Sequence, residues 1–188
     1  VDMSRPKLIG ITALVFTFCL ISTAVVCHSL DFRLNITASA PIGLWRVYEV
    51  ATYQKGDFVE ACPPDLSIIK VMVDKGYLAT GNCPTNVITL LKPIAVGKGD
   101  IVTIRKGLPV SINGRFLPNT RSMPTIQAWP DGTYRTKENE IWLFSTYSSG
   151  SFDSRYFGPV DVSNIRGKAV PVLVIGDPAE MLLTREQV

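Results

Sequence analysis

The chain has 188 residues, which is enough for one domain with a hydrophobic core and an additional segment. Its 19 Lys and Arg residues against 16 Asp and Glu residues give a net charge of only +3, too small to indicate a nucleic-acid partner. Val1 and Asp2 precede Met3, and we expect them to be a cloning remnant.

Residues 8–30 form an apolar segment of 23 residues without Lys, Arg, Asp or Glu. A helix needs about 20 apolar residues to cross a bilayer. Arg5 and Lys7 precede the segment, and such positive flanks stay in the cytoplasm. The sequence therefore predicts a cytoplasmic N-terminus (1–7), one transmembrane anchor (8–30), an external domain (31–176) and a tail (177–188) without a clear role.

Three alternatives to an anchor fit less well. A cleaved signal peptide would have a shorter apolar run and a small-x-small cleavage site. A lipid anchor at Cys27 is disfavoured because Val26 is bulky where a small residue is needed. A buried helix of a soluble protein would be unusually long and uniformly apolar.

A polar stretch at residues 35–45 follows the apolar segment and carries Ser39 shortly before Pro41 and Gly43. Proline fixes its own φ and glycine allows tight bends, so this serine is expected on a stiff, turn-like backbone. Such a backbone suits a nucleophile that must be presented rigidly to a carbonyl carbon. It also suits an ordinary loop, and this stretch alone leaves both interpretations open.

The rest of the chain indicates a mostly β domain, because few stretches carry a helical period. Asn113-Gly114 favours a type I′ hairpin turn between short strands within residues 110–117. Residues 118–137 are polar, contain three prolines and are expected to form an excursion loop. Strands are predicted at 46–50, 58–59, 68–73, 87–91, 100–105 and 140–144, and a last buried strand is predicted at 170–175.

Cys62 and Cys83 are the only cysteines after the apolar segment, and in an oxidising compartment they are a candidate disulfide. Two unrelated free thiols are the alternative. The spacings offer neither a zinc site nor a CxxC redox motif.

The single histidine, His28, lies within the apolar segment, which excludes a Ser-His-Asp triad or a histidine-based metal site in the external domain. A nucleophilic Ser39 would then need another base. Lysine can serve where burial lowers its pKa, and Lys92 and Lys70 are both bordered by apolar residues. The alternative for each is a lysine at a strand end whose amine reaches water.

Three separated blocks together resemble the signal peptidase I superfamily of serine/lysine proteases. The first block, residues 37–45, has a Ser-x-Pro-x-Gly spacing similar to that of TraF-type pilin-processing peptidases of conjugative transfer. The second, residues 91–102, resembles the block that begins with the catalytic lysine. The third, residues 151–158, closely resembles the family's Ser-x-Asp-Ser-Arg-x-x-Gly block.

This resemblance implies a role for each matching residue. Ser39 would be the nucleophile and Lys92 the general base. Thr37 and the Ser39 N–H would form the oxyanion hole. Ser151 would orient the lysine amine, and Asp153 and Arg155 would form a supporting ion pair. The second block departs from the family pattern at Pro93, Val96 and Lys98, so Lys70 stays open as the reserve base.

The resemblance also implies a signal-peptidase-like β domain behind one transmembrane helix, held at the bacterial inner membrane with its catalytic domain in the periplasm. The implied activity is cleavage, with or without cyclisation, of a pilin precursor for conjugative plasmid transfer. The implied partners are this precursor, the inner membrane and the conjugation machinery, and no cofactor is expected. A non-enzymatic assembly factor and a general signal peptidase I remain alternatives. A self-cleaving regulator would need a DNA-binding segment where the anchor lies.

Overall fold

The structure, a computed structural model, describes residues 5–29 and 31–176. The predicted cloning remnant, Leu30 and the predicted tail 177–188 lie outside the described residues. The chain divides into two compact units, residues 1–33 and 34–188.

The first unit contains one long helix, α1, which spans Arg5–Ser29. The part Lys7–Val26 is long and apolar enough, by length and composition, to cross a membrane. None of this stretch is buried, and large apolar side chains such as Leu14 and Phe18 are about 70% exposed. These features differ from those of a core helix in a soluble protein, which buries its apolar face.

The second unit is mostly β and contains two sheets. The larger sheet has seven strands in the order β1-β2-β11-β3-β4-β9-β10, and the smaller has four in the order β7-β6-β5-β8. The strands are β1 Phe32–Asn35, β2 Ile42–Tyr48, β3 Phe58–Ala61, β4 Leu90–Val96, β5 Ile101–Ile104, β6 Ser111–Ile112, β7 Arg115–Phe116, β8 Gly132–Arg135, β9 Glu140–Leu143, β10 Val160–Asp161 and β11 Ile165–Ile175. The helices are α2 Ser67–Asp74, α3 Ser154–Phe157 and a 3-10 helix at Val162–Asn164. The prediction of a mostly β domain behind one apolar helix is confirmed.

The predicted strand at 68–73 is wrong, because these residues lie in helix α2. The two fully buried side chains of this helix, Ile69 and Met72, are three positions apart and therefore share one helix face. The apolar run is short enough to fit either a helix or a buried strand, and the sequence analysis predicted the strand.

The predicted strand at 87–91 begins later, at Leu90, and continues to Val96. Lys92 therefore lies inside β4, opposite Val59 of β3, rather than at a strand end. β4 is a central strand between β3 and β9, and its third residue, Lys92, is buried.

The smaller sheet contains the predicted hairpin, with Asn113 and Gly114 at φ 50° and 84°, as a type I′ turn requires. The predicted excursion loop at 118–137 is wrong in its second half. There, β8 pairs antiparallel with β5, placing Tyr134 opposite Val102.

The last strand, β11, starts earlier than predicted and pairs with both β2 and β3. Its pairing with β3 ends at Ala169, and only β2 continues beside its final residues. The expectation of a buried strand at 170–175 is therefore wrong, since Leu173 and Ile175 are 75% and 80% exposed.

Three groups of buried apolar side chains form the core of the second unit. The largest packs around α2, β3, β4 and α3, and it includes Cys62 and Cys83, which form a disulfide with a Cα–Cα distance of 5.6 Å. The disulfide joins residues 21 positions apart, and closing a loop of this length contributes roughly 3 kcal/mol to stability. The smallest group contains Ala40, Trp45 and Phe58, so the Ser39 segment borders directly on the core.

Candidate active site

Ser39 lies in a turn between β1 and β2 and is half exposed. Its Oγ is 3.2 Å from Thr37 Oγ1. Its backbone oxygen accepts a hydrogen bond of 2.6 Å from Ser145 Oγ, far away in sequence. The next residue, Ala40, is fully buried, so the turn presents the serine hydroxyl at the surface while its backbone is attached to the core.

The side chain of Asn35 holds the same turn from the other side. Its Nδ2 donates to the backbone oxygens of Thr37, Ala40 and Pro41 at 3.0–3.1 Å. Its Oδ1 accepts from the N–H of Thr37 at 3.1 Å and from the hydroxyl of Thr37 at 2.8 Å. Reversing the amide would place its oxygen against three carbonyl oxygens, so the contacts define its orientation.

Gly43, the glycine of the Ser-x-Pro-x-Gly spacing, lies where β2 meets β11 and has φ of 141°. A Cβ at this position would overlap the backbone oxygen of Leu173 and lie 2.7 Å from the Cα of Val174. Only glycine fits this approach. Two residues earlier, the Pro41 oxygen also accepts from the indole N–H of buried Trp45, which fixes the end of the turn.

Lys92 is only 3% exposed, and its Nζ donates to Ser151 Oγ at 3.0 Å. Burial lowers the pKa of this lysine to about 8 because desolvation disfavours the ammonium form. The nearby Asp153 carboxylate raises the pKa of Lys92 and the Arg155 guanidinium lowers it. These two opposite charges are paired with each other, so desolvation decides the direction.

Asp153 and Arg155 form a buried ion pair, with side chains 0% and 1% exposed. Asp153 Oδ1 accepts from Arg155 Nε and Oδ2 accepts from Arg155 Nη2, both at 2.8 Å. The remaining N–H groups of Arg155 donate to the backbone oxygens of Asn119, Arg121, Ser149 and Ser145. The pair therefore ties the loop after residue 118 to the loop that carries Ser151, and it is not a surface pair.

Ser145 connects the nucleophile turn with this ion pair. Its hydroxyl donates to the backbone oxygen of Ser39, and its backbone N–H donates to Asp153 Oδ2 at 3.0 Å. Asp153 is two residues from Ser151, the partner of Lys92. The contacts thus run from Ser39 through Ser145 and the 151–153 segment to Lys92. Among the described residues, no hydrogen bond joins Ser39 Oγ directly to Lys92 Nζ, and such bonds are often loose before substrate binds.

The structure brings most of the predicted site residues together, namely Thr37, Ser39, Lys92, Ser151, Asp153 and Arg155. It does not bring Lys70 to them by any described hydrogen bond or ion pair. Lys70 is exposed on α2 and lacks the desolvation that a lysine base requires. The reserve assignment of the base to Lys70 is therefore not supported.

The sequence interpretation assigned no role to Asn35 or Ser145. No sequence signal marks Ser145, because its partner Ser39 lies 106 positions away along the chain. Among the described residues, no group of three or more His, Cys, Asp or Glu side chains could hold a metal ion.

The serine motif and the buried lysine are those expected of a serine/lysine peptidase. The chain belongs to the family described as signal peptidase, peptidase S26, whose sequence profile matches residues 6–174. The chain is also similar to proteins named as conjugal or plasmid transfer proteins. The chain is 31% identical over 179 residues to the probable conjugal transfer protein TraF of Sinorhizobium fredii, covering 90% of each chain.

Two further relatives are similar over most of their lengths. The plasmid transfer protein TraF of Escherichia coli is 36% identical over 151 residues, covering 75% of this chain and 82% of its own. The conjugal transfer protein TraF of Agrobacterium tumefaciens is 34% identical over 165 residues, covering 85% and 90%. A solved signal peptidase I from Enterococcus faecalis is 19% identical, covers 64% of this chain and 98% of its own, and superposes with a TM-score of 0.37.

Proposed function

We propose that this chain is a membrane-anchored serine/lysine endopeptidase that processes a pilin precursor for conjugative plasmid transfer. Membership of the signal peptidase family supports a peptidase, and the TraF relatives support a role in conjugation. Ser39 would be the nucleophile and Lys92 the general base.

The observation that carries this proposal is the state of Lys92. A lysine at the surface is almost entirely protonated near neutral pH and cannot accept a proton. Lys92 is buried, its pKa is lowered to about 8, and its amine is oriented by Ser151. A lysine in this state is suited to general-base catalysis.

In the proposed reaction, neutral Lys92 takes the proton of Ser39 while Ser39 Oγ attacks the scissile carbonyl carbon. The serine hydroxyl must first turn from Thr37 towards Lys92. The Ser39 N–H and the Thr37 hydroxyl stabilise the oxyanion of the tetrahedral intermediate. The ammonium of Lys92 then gives its proton to the leaving amine, and an ester between Ser39 and the substrate remains.

Two nucleophiles can release this ester. Water would give a trimmed linear pilin, and the N-terminal amine of the same substrate would give a head-to-tail cyclic pilin. Both outcomes use the same serine and lysine, so the proposal includes either one.

We place the enzyme at the inner membrane, with α1 as its anchor and the second unit in the periplasm. The positive residues before the apolar segment support this orientation. Ser39 follows Leu30 by only nine positions, which suits a substrate whose cleavage site lies near the membrane surface.

The test is co-expression of a candidate pilin precursor with the chain or with Ser39→Ala, followed by mass spectrometry of the pilin. We expect a trimmed product with the unmodified chain only, and a cyclic product would be lighter than the linear one by one water, about 18 Da. Lys92→Ala is expected to abolish processing, whereas the matched change Lys70→Ala is expected to leave it intact. Equal conjugation and equal pilin with Ser39→Ala would instead support a non-enzymatic assembly factor.

The pH dependence of the same reaction follows from Lys92. Because the base acts only when neutral, kcat/KM should rise about tenfold per pH unit below pH 8 and level off above it. The measurement is initial rates of precursor cleavage from pH 6 to 10 by the full chain in detergent micelles. A flat profile across this range would contradict Lys92 as the base.

A further inference from the structure

The turn that carries Ser39 is held mainly by side-chain hydrogen bonds. Apart from the pairing within strands, no backbone-to-backbone hydrogen bond joins residues 36–41 to another described residue. Instead, the oxygens of Thr37, Ala40 and Pro41 accept from Asn35, and the oxygen of Ser39 accepts from Ser145. Besides the indole of Trp45, which holds the oxygen of Pro41, the position of the serine therefore depends on two polar side chains, those of Asn35 and Ser145.

We propose that Asn35 and Ser145 are positioning residues for the nucleophile, acting as a clamp on the turn that carries Ser39. This inference rests on the proposed function, in which Ser39 attacks a peptide carbonyl. Neither residue contacts the reacting hydroxyl directly, and both act through the backbone or through Thr37.

Asn35 determines the direction of the hydroxyl protons. Since Asn35 Oδ1 can only accept, the Thr37 hydroxyl must donate to it. Thr37 Oγ1 is then left to accept from the Ser39 hydroxyl, 3.2 Å away. In the resting site the proton of Ser39 therefore points at Thr37, and Asn35 is the residue that sets this state.

Ser145 connects the turn to the buried ion pair through the one hydrogen bond that its hydroxyl donates. Its backbone N–H and C=O bond to Asp153 and Arg155, and these bonds are independent of its side chain. Only its hydroxyl reaches Ser39. Ser145→Ala therefore deletes the link to the nucleophile, together with the acceptor for the N–H of Tyr147 at 3.3 Å, while leaving the backbone contacts of the ion pair available.

The sequence offers a direct probe of this link. Ser39-Ala40 is the only Ser-Ala dipeptide in the chain. Labelling serine with 13C at the carbonyl and alanine with 15N therefore gives a single cross-peak that reports on the Ser39 carbonyl. The sample is the full chain in detergent micelles. The matched control is Ser148→Ala, because among the described residues the Ser148 hydroxyl bonds only to the N–H of Gly150 in the same loop.

We expect Ser145→Ala to move the 13C shift of this peak upfield and to lower kcat about ten- to hundredfold, because small displacements of a nucleophile have effects of this size. The pH at which the rate levels off should stay unchanged, since Lys92 keeps Ser151. Asn35→Asp should lower kcat similarly, because it replaces the amide donor with a carboxylate facing three carbonyl oxygens. Ser148→Ala should change neither the peak nor the rate.

An unmoved carbonyl peak in Ser145→Ala would overturn the clamp, and so would a moved peak with an unchanged kcat. A loss of rate accompanied by a lower midpoint of urea unfolding would show that Ser145 only stabilises the fold, which also contradicts the inference. If the unmodified chain cleaves no precursor, the proposed function fails, and the carbonyl peak still decides whether Ser145 holds Ser39.

Discussion

Ser39 and Lys92, the two residues proposed to react, lie in contrasting surroundings. Ser39 is half exposed on a turn that depends on a few side-chain hydrogen bonds. Lys92 is buried inside β4, and the ion pair beside it is tied to the backbone at several points. Ser39 is therefore held in place by side-chain hydrogen bonds to a surface turn, whereas Lys92 is part of the buried core.

This difference suits the chemistry that each residue would perform. A lysine base requires desolvation, which only a packed and fully bonded environment provides. A nucleophile must be reached by a peptide and must redirect its proton during the reaction, so it needs access and a small freedom of rotation. Substitutions on the Lys92 side should consequently affect stability, and substitutions on the Ser39 side should affect rate.

Arg155→Ala is expected to have the largest effect on stability. It leaves the fully buried Asp153 carboxylate without its ion pair and removes the donor to the oxygens of Asn119 and Arg121. Breaking a buried pair from one side costs about 3–5 kcal/mol. The measurement is urea unfolding of the full chain in detergent micelles. Arg121→Ala is the matched control, because its side chain is exposed and only its backbone oxygen is used.

The same variant has a second expected result in any folded fraction. Without Arg155, the Asp153 carboxylate is no longer neutralised, and it raises the pKa of Lys92. The pH at which cleavage levels off should therefore move upward. An unchanged unfolding midpoint in Arg155→Ala would contradict the idea that the lysine side is built into the core.

The sequence allowed much of the lysine side to be predicted, because the residues that support Lys92 lie in one contiguous block. Ser151, Asp153 and Arg155 are within five positions of each other, and the Asn113-Gly114 turn is a local signal too. Local chemistry of this kind can be read before the fold is known.

The contacts of Ser39 could not be predicted in the same way. Ser145 lies 106 positions from Ser39, and only the tertiary fold brings the two together. Nothing near Ser145 in sequence indicates a bond to a distant backbone oxygen. The helix at Ser67–Asp74 was missed for a different reason, since a six-residue apolar run fits a strand and a helix equally well.

Thr37→Val tests the expectation that substitutions near Ser39 lower the rate and not the stability. Valine keeps the shape of threonine but removes the hydroxyl that contacts Ser39 and is proposed to stabilise the oxyanion. Loss of one oxyanion donor lowers kcat about 10²–10³-fold, and we expect about a hundredfold because the Thr37 hydroxyl must first leave Asn35.

The control for this change is Thr37→Ser, which keeps the hydroxyl and should retain most of the rate. Cleavage assays and urea unfolding of both variants are the measurements. An unfolding midpoint lowered as strongly as in Arg155→Ala would show that the two sides are not held differently.

The smallest effect we expect is on the free energy of unfolding, which should depend on pH because Lys92 is buried. In the unfolded chain this lysine has its ordinary pKa of 10.5, and in the folded chain burial lowers the pKa to about 8. Between these values the unfolded state binds more protons, so stability should rise with pH across pH 8 to 10.5. Below pH 8 the folded state has to bury an ammonium, and the shift corresponds to about 3 kcal/mol of destabilisation there.

Lys92→Met removes the charge and keeps a side chain of similar length. It should raise the free energy of unfolding at pH 7 by about 2 kcal/mol, since the lost bond to Ser151 offsets about 1 kcal/mol of the gain. Urea unfolding at pH 7, 8, 9 and 10 checks this, with Lys70→Met as the control for an exposed lysine. The advantage of Lys92→Met over the unmodified chain should shrink as pH rises from 8 to 10, because the unmodified chain then buries a neutral amine. If the difference in unfolding free energy between Lys92→Met and the unmodified chain stayed constant across this range, burial would not lower the pKa of Lys92. The proposal that Lys92 is the general base would then be contradicted.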